Sequence, residues 1–136
     1  MNMAEMSIEE ILRNDLKNNY PEGTTTLEEY AYGLRQSLDS GMKMIRSGNA
    51  LFLYEEVGDG VVELHVINGG MSVKEGMEHL FKALLQLREN GYKEADIYYD
   101  NKNFSNILNN VPTFPVTTEK VNEGEGKTYL TKVRLA

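Results

Sequence analysis

The feature that most limits what this chain can fold into lies in its middle. An alternating apolar stretch, VVELHVIN (residues 61–68), leads to a helical pattern over about residues 72–90, and a second alternating stretch, YKEADIYYD (residues 92–100), follows. The helical stripe is Val73, Met77, Leu80, Phe81, Leu84 and Leu87 or Leu85, and it stops at ENG (residues 89–91). A strand, a long crossover helix and a strand predict one right-handed parallel connection inside a sheet. Where such a pair forms, the crevice at the carboxyl ends of its strands, beside the helix N-terminus, is the natural position for a ligand. The stretch GGMSVKEGMEHLF (residues 69–81) falls there. Its glycines fit either a loop that cradles a phosphate or a strand-to-helix turn, and Ser72 with Glu75 makes a capping box that explains the stretch without a phosphate.

The flanking segments supply the rest of the sheet and its cover. SIEEILRNDLKNNY (residues 7–20) places Ile8, Ile11, Leu12 and Leu16 at helical spacing, with Ser7 and Glu10 as the cap pair. A break at NNYPEG precedes a second helix, capped by Thr26 and Glu29, with Leu27, Tyr30, Ala31, Leu34 and Leu38 on one face and Gly41 as its stop. From Met42 the short runs MKMI, NALFLYEEV and VVELHVIN, separated by RSGN and GDG, predict three antiparallel strands joined by tight turns. NKNFSNILNNV reads as a short helix stopped by Pro112, and the tail as two strands around NEGEG (residues 122–126). The fold class is α+β: a mixed, mostly antiparallel sheet with one parallel crossover and helices on its faces. Residues 1–136 read as a single domain, helical over 1–41, with the sheet, long helix, short helix and C-terminal hairpin over 42–136.

Composition excludes several function classes. The 136 residues include no cysteine, so disulfides, zinc–thiolate sites and cysteine nucleophiles are excluded, and an intracellular, cytoplasmic placement is expected. No apolar run approaches the roughly 20 residues of a membrane span. A net charge of −7 argues against nucleic acid bound through a basic patch.

From about residue 42 to the C-terminus, the order of elements resembles the GNAT superfamily of acetyl-CoA-dependent N-acetyltransferases, with two helices where that family usually has an N-terminal strand. VVELHVIN resembles the family's central strand, MSVKEGMEHLFKALLQL its pyrophosphate-binding helix, and EADIYYDNKNFSNIL its next strand and helix. The resemblance implies a GNAT-like fold and, for an active member, acetyl-CoA held by residues in the positions of Ser72, Lys74, Glu75, Gly76 and Met77. The family loop reads Q/R-x-x-G-x-G/A. In the register Val73 to Glu78 only Gly76 matches it, with valine in place of Arg or Gln and glutamate in place of the second small residue.

The family's general acid is a tyrosine in N-x-x-A-x-x-L-Y. Counted from Asn101, the positions fall on Phe104, Ile107 and Leu108, and Leu108 cannot give a proton. Tyr98 and Tyr99 read as packing residues on an alternating strand. A strand glutamate is often the base, which makes Glu63 a catalytic candidate alongside its reading as an outward-facing residue; His65 shares its face by the period of two. His79 reads as a boundary residue, and no ligand spacing for a metal is present.

The expected function is therefore that of a degenerate, non-catalytic GNAT-like protein that binds other proteins and carries no cofactor. The resemblance implies a setting among tailed-bacteriophage proteins, in the host cytoplasm or the virion. One alternative is a divergent N-acetyltransferase using acetyl-CoA with Glu63 or His65 as base. A second is an acidic inhibitor that presents Glu9, Glu10, Glu28 and Glu29 to a basic host factor, although these first-turn glutamates already favour the helix dipole. The oligomeric state is left open.

Overall fold

The computed structural model describes residues 5–20, 22–99, 102–111, 113–121 and 129–136. Helices α1 (Ile8–Asn19) and α2 (Leu27–Asp39) precede strands β1 (Lys43–Ser47), β2 (Ala50–Gly58) and β3 (Val61–Asn68). Helix α3 (Val73–Glu89), strand β4 (Glu94–Tyr99), helix α4 (Lys102–Asn109) and strands β5 (Val116–Lys120) and β6 (Tyr129–Arg134) follow. The sheet runs β1-β2-β3-β4-β6-β5, antiparallel throughout except for the parallel β3–β4 pair. Local chemistry sets the element ends. Ser7, Thr26 and Ser72 each accept from the backbone three residues on, and Glu10, Glu29 and Glu75 return the bond, so all three expected capping boxes are formed. Gly48 and Gly60, at φ +59° and +74°, make the turns of the two expected hairpins. The turn expected at 122–126 and the stop at Pro112 lie outside the described residues.

The period of two on β2 sorts its side chains into two cores. Ala50, Phe52 and Tyr54 face α3 and α4, and Leu51 and Leu53 face α1 and α2, which is why ALFLY is continuously apolar. Under α3 lie Leu80, Ala83, Leu84 and Leu87, with Met77, Phe81 and Leu85 half-buried. Fully removing a leucine side chain such as Leu80, Leu84 or Leu87 from water contributes about 1.5–3 kcal/mol. The open choice between Leu87 and Leu85 is resolved for Leu87 as the fully buried position. Two stripe residues are corrected: Val73 is 62% exposed and Ile8 40%. Both stand at the first helical position, before the apolar stripe meets the sheet. The face expected on α2 packs against Ile11, Leu12, Leu51, Leu53 and Ile67 without any of its residues being fully buried.

The parallel seam is short. Register pairs join only Val61 to Glu94, Val62 to Ala95 and Glu63 to Asp96, while β3 continues to Asn68 and β4 to Tyr99. Beyond Glu63 and Asp96 no register pair joins the two strands, and β3 runs on to Asn68 and the β3–α3 loop.

Candidate functional site

Two groups of residues border the unpaired stretch of β3 and β4. The first is the loop from Asn68 to the start of α3. Gly69 is required by crowding, since a Cβ there would lie 2.6 Å from the Asn49 carbonyl oxygen and 3.1 Å from the Ile11 side chain; Gly70 is required by its φ of +102°. The loop's donors are occupied from within the chain. The Asn68 N–H reaches Asp15 Oδ1 at 3.4 Å, the Gly69 N–H reaches the Asn49 carbonyl at 2.8 Å, and those of Gly70 and Met71 both reach Asn68 Oδ1 at 3.0 and 2.8 Å. The Ser72 N–H donates to Glu75 Oε1, the Glu75 N–H to Ser72 Oγ, and the Gly76 N–H to the Ser72 carbonyl. At this helix start, the N–H groups of Val73 and Lys74 are outside those bonds. The residues of this stretch singled out in the sequence, Ser72, Lys74, Glu75, Gly76 and Met77, are thus brought together at one helix start. Met77 is half-buried there, and a Cβ added at Gly76 would meet nothing within 4 Å.

Helix α1 grips the same loop. Asn14 Nδ2 donates to the Gly69 carbonyl at 3.0 Å, and buried Asp15 accepts from the Tyr30 hydroxyl of α2 as well as from Asn68. Burial, and then the hydrogen bond to Asp15, pushes the Tyr30 phenol far above its ordinary range, so it stays a donor. The sequence did not single out Asp15, because a polar residue beside an apolar stripe carries no mark of burial.

The second group lies on the sheet face shared with α1 and α2. Glu63 and His65 are brought together, with His65 Nε2 3.6 Å from Glu63 Oε1 and both side chains partly exposed. The row they belong to is larger than the pair. Glu55 on β2 stands opposite Glu63, Glu63 opposite Asp96 on β4, and Asp96 opposite Lys132 on β6. Asp96 is half-buried, its Oδ1 has neither solvent access nor a hydrogen-bond partner among the described residues, and its pKa is raised from 3.8 to about 7. Desolvation is the largest cause, followed by the hydrogen bond and the charge of Glu94; Lys132 acts in the opposite sense and Glu63 adds to the rise. Asp96 was missed in the sequence because only the strand order brings it beside Glu63.

The remaining candidates have structural partners. Tyr99 is buried, stacks on Tyr129 and bonds through its hydroxyl to Ser105 Oγ and Thr131 Oγ1, both at 2.7 Å. Leu108 is buried in the α3 core. His79 is half-buried, with Nδ1 2.7 Å from Ser47 Oγ. Among the described residues, no three His, Asp or Glu side chains are arranged to hold a metal ion, and no helix is long and apolar enough to cross a membrane.

No protein-family model matches the sequence, and no curated protein matches it. Solved structures do match the fold. The chain is similar to an acetyltransferase of the GNAT family from Staphylococcus aureus Mu50 (14% identity, 99% of each chain covered, TM-score 0.61). It is similar to a probable acetyltransferase of the GNAT family from Chromobacterium violaceum ATCC 12472 (13% identity, 93% of this chain and 79% of that one, TM-score 0.63). It is also similar to a ribosomal-protein-alanine N-acetyltransferase from Brucella melitensis (16% identity, 92% and 90% covered, TM-score 0.56). With its strand order, its single parallel crossover and these matches over nearly its whole length, the chain has the GNAT N-acetyltransferase fold.

Proposed function

We propose that this GNAT-fold chain does not transfer acetyl groups and works by binding other proteins, as a phage-encoded protein carried in the virion. The observation that carries the first half is the closed β3–α3 loop. A pyrophosphate at a helix start is held by backbone N–H groups and the helix dipole. Here the N–H groups of residues 68–72, 75 and 76 already have acceptors within the chain, which leaves those of Val73 and Lys74 to meet a ligand. The Glu75 carboxylate sits over the helix end, and exposed Glu78 follows one turn on. At some 4 Å, like charges repel by about 1 kcal/mol in water and about 4 kcal/mol near a protein surface, against a dipole gain of about 0.3–1 kcal/mol. On these magnitudes repulsion exceeds attraction, which supports the reading that no acetyl-CoA is held at this helix start. The second half rests on the resemblance to degenerate GNAT-like phage proteins.

The test is calorimetric titration of acetyl-CoA into the native chain and into Val73→Arg with Glu78→Gly, together with mass spectrometry of purified particles of the encoding phage. No binding by the native chain and its presence in the particles are the expected results. Micromolar binding by the native chain overturns the non-enzyme reading, and absence from the particles overturns the virion setting.

One observation favours a second reading, a divergent N-acetyltransferase. Glu63, His65 and Asp96 lie together where the β3–β4 pairing ends, and a carboxyl raised toward neutrality, as that of Asp96 is, can serve as a general base. Acetyl-CoA turnover with an amine acceptor, lost in Asp96→Asn or in Glu63→Gln, would establish that reading.

A further inference from the structure

We propose that the Asp96 carboxyl makes the β3–β4 seam pH-sensitive: with its proton it relieves the repulsion from Glu63 where the pairing of the two strands ends, and without it the seam loosens. This goes beyond the binding role and does not depend on it. The geometry is a crowded row of carboxylates on the last of only three parallel residue pairs. Glu63 is in register with Asp96, Glu55 is in register with Glu63, and Glu94 lies two residues before Asp96 on the same face of β4. Like charges directly opposite one another on a sheet are destabilising, and a parallel pair of three residues has little ladder with which to resist them.

The groups facing Asp96 are Glu63 and His65 from β3, Glu55 beyond them on β2, Glu94 and Tyr98 on its own strand, and Lys132 from β6. Among the charges that act on it, Lys132 alone favours ionisation, and it is outweighed by Glu94, Glu63 and burial. With its proton, Asp96 and Glu94 share a hydrogen bond and the row carries one negative charge fewer. When the proton is lost, Oδ1, which is shut off from solvent and has no donor among the described residues, must carry charge unpaired.

The direction of the pH dependence follows. The native carboxyl keeps its proton up to about pH 7, whereas an ordinary aspartate loses it near 3.8. The native state therefore binds more protons between these values, and this group's contribution to stability is lost as pH rises through the window. A single proton changes the unfolding equilibrium by at most tenfold per pH unit, and partial solvent screening brings the expected change to about three- to tenfold.

The experiment is urea denaturation of the native chain and of Asp96→Asn at intervals from pH 5 to pH 7.5. The ratio of their unfolding constants, native over variant, is expected to rise by about three- to tenfold per pH unit up to about pH 7. A ratio that stays constant overturns the proposal. A second measurement stands if the variant does not fold: the side-chain carboxyl carbon of Asp96 is followed by NMR in the native chain, with amide exchange across the seam. A midpoint above pH 6, with protection falling at residues 61–65 and 94–98 but holding in the β1–β2 hairpin, supports the proposal. A midpoint below pH 5, or a high midpoint with unchanged seam protection, overturns it.

Discussion

Replacing Asn68 with alanine tests the closed loop most directly. Its Oδ1 accepts from the Gly70 and Met71 N–H groups at 3.0 and 2.8 Å, while the bond from its Nδ2 to the Met71 carbonyl, at 3.4 Å, is too long to add much. Each accepted bond contributes about 0.5–1.5 kcal/mol net, so their loss costs about 2 kcal/mol. In a domain of this size, about 2 kcal/mol lowers Tm by roughly 6–10 °C. Thermal melts followed by circular dichroism should show that drop, and native-state hydrogen exchange should show the Gly70 and Met71 amides losing protection. The freed donors then face solvent at the helix start. If competition for these donors is what excludes a pyrophosphate, Asn68→Ala gains measurable affinity for coenzyme A and the native chain shows none. A melt within about 1 °C of native, with both amides still protected, would refute the bonded loop and the functional reading built on it. A destabilised variant that still ignores coenzyme A would leave the loop standing but refute the competition.

Other substitutions probe the supports of the site. Gly69→Ala should destabilise by more than about 1 kcal/mol in urea titration, because its Cβ would meet the Asn49 carbonyl at 2.6 Å. Gly76→Ala, where a Cβ meets nothing within 4 Å inside a helix, should stabilise by about 0.5–1 kcal/mol; a loss there would mean that the glycine has a structural duty. Tyr30→Phe removes the donor to buried Asp15 and should cost about 1.5–3 kcal/mol, with exchange rising at the Asn68 amide that shares this carboxylate. Leu84→Ala, at a position with no exposure under α3, should cost about 2–5 kcal/mol in the same assay.

The sequence by itself determined the features that depend on neighbours a few residues apart. Ser7 with Glu10, Thr26 with Glu29 and Ser72 with Glu75 marked three helix starts, because a capping box is closed within four residues. Gly48 and Gly60 marked two hairpins for the same reason, and the strand, helix, strand order implied the parallel crossover through the handedness of such connections. Glu63 and His65 were legible as a pair because a strand repeats every two residues. The tertiary structure alone decided which strands became neighbours. Pairing between segments distant in the chain is set by packing on both faces of the sheet, and β6 inserted between β4 and β5 has no local signature. That order places Asp96 between Glu63 and Lys132, and the docking of α1 places Asn14 and Asp15 on the β3–α3 loop. A polar side chain in the sequence looks the same whether water or a strand will lie against it. Its burial, and with it the raised pKa of Asp96 and the closed loop at Asn68, exists only once distant elements have packed.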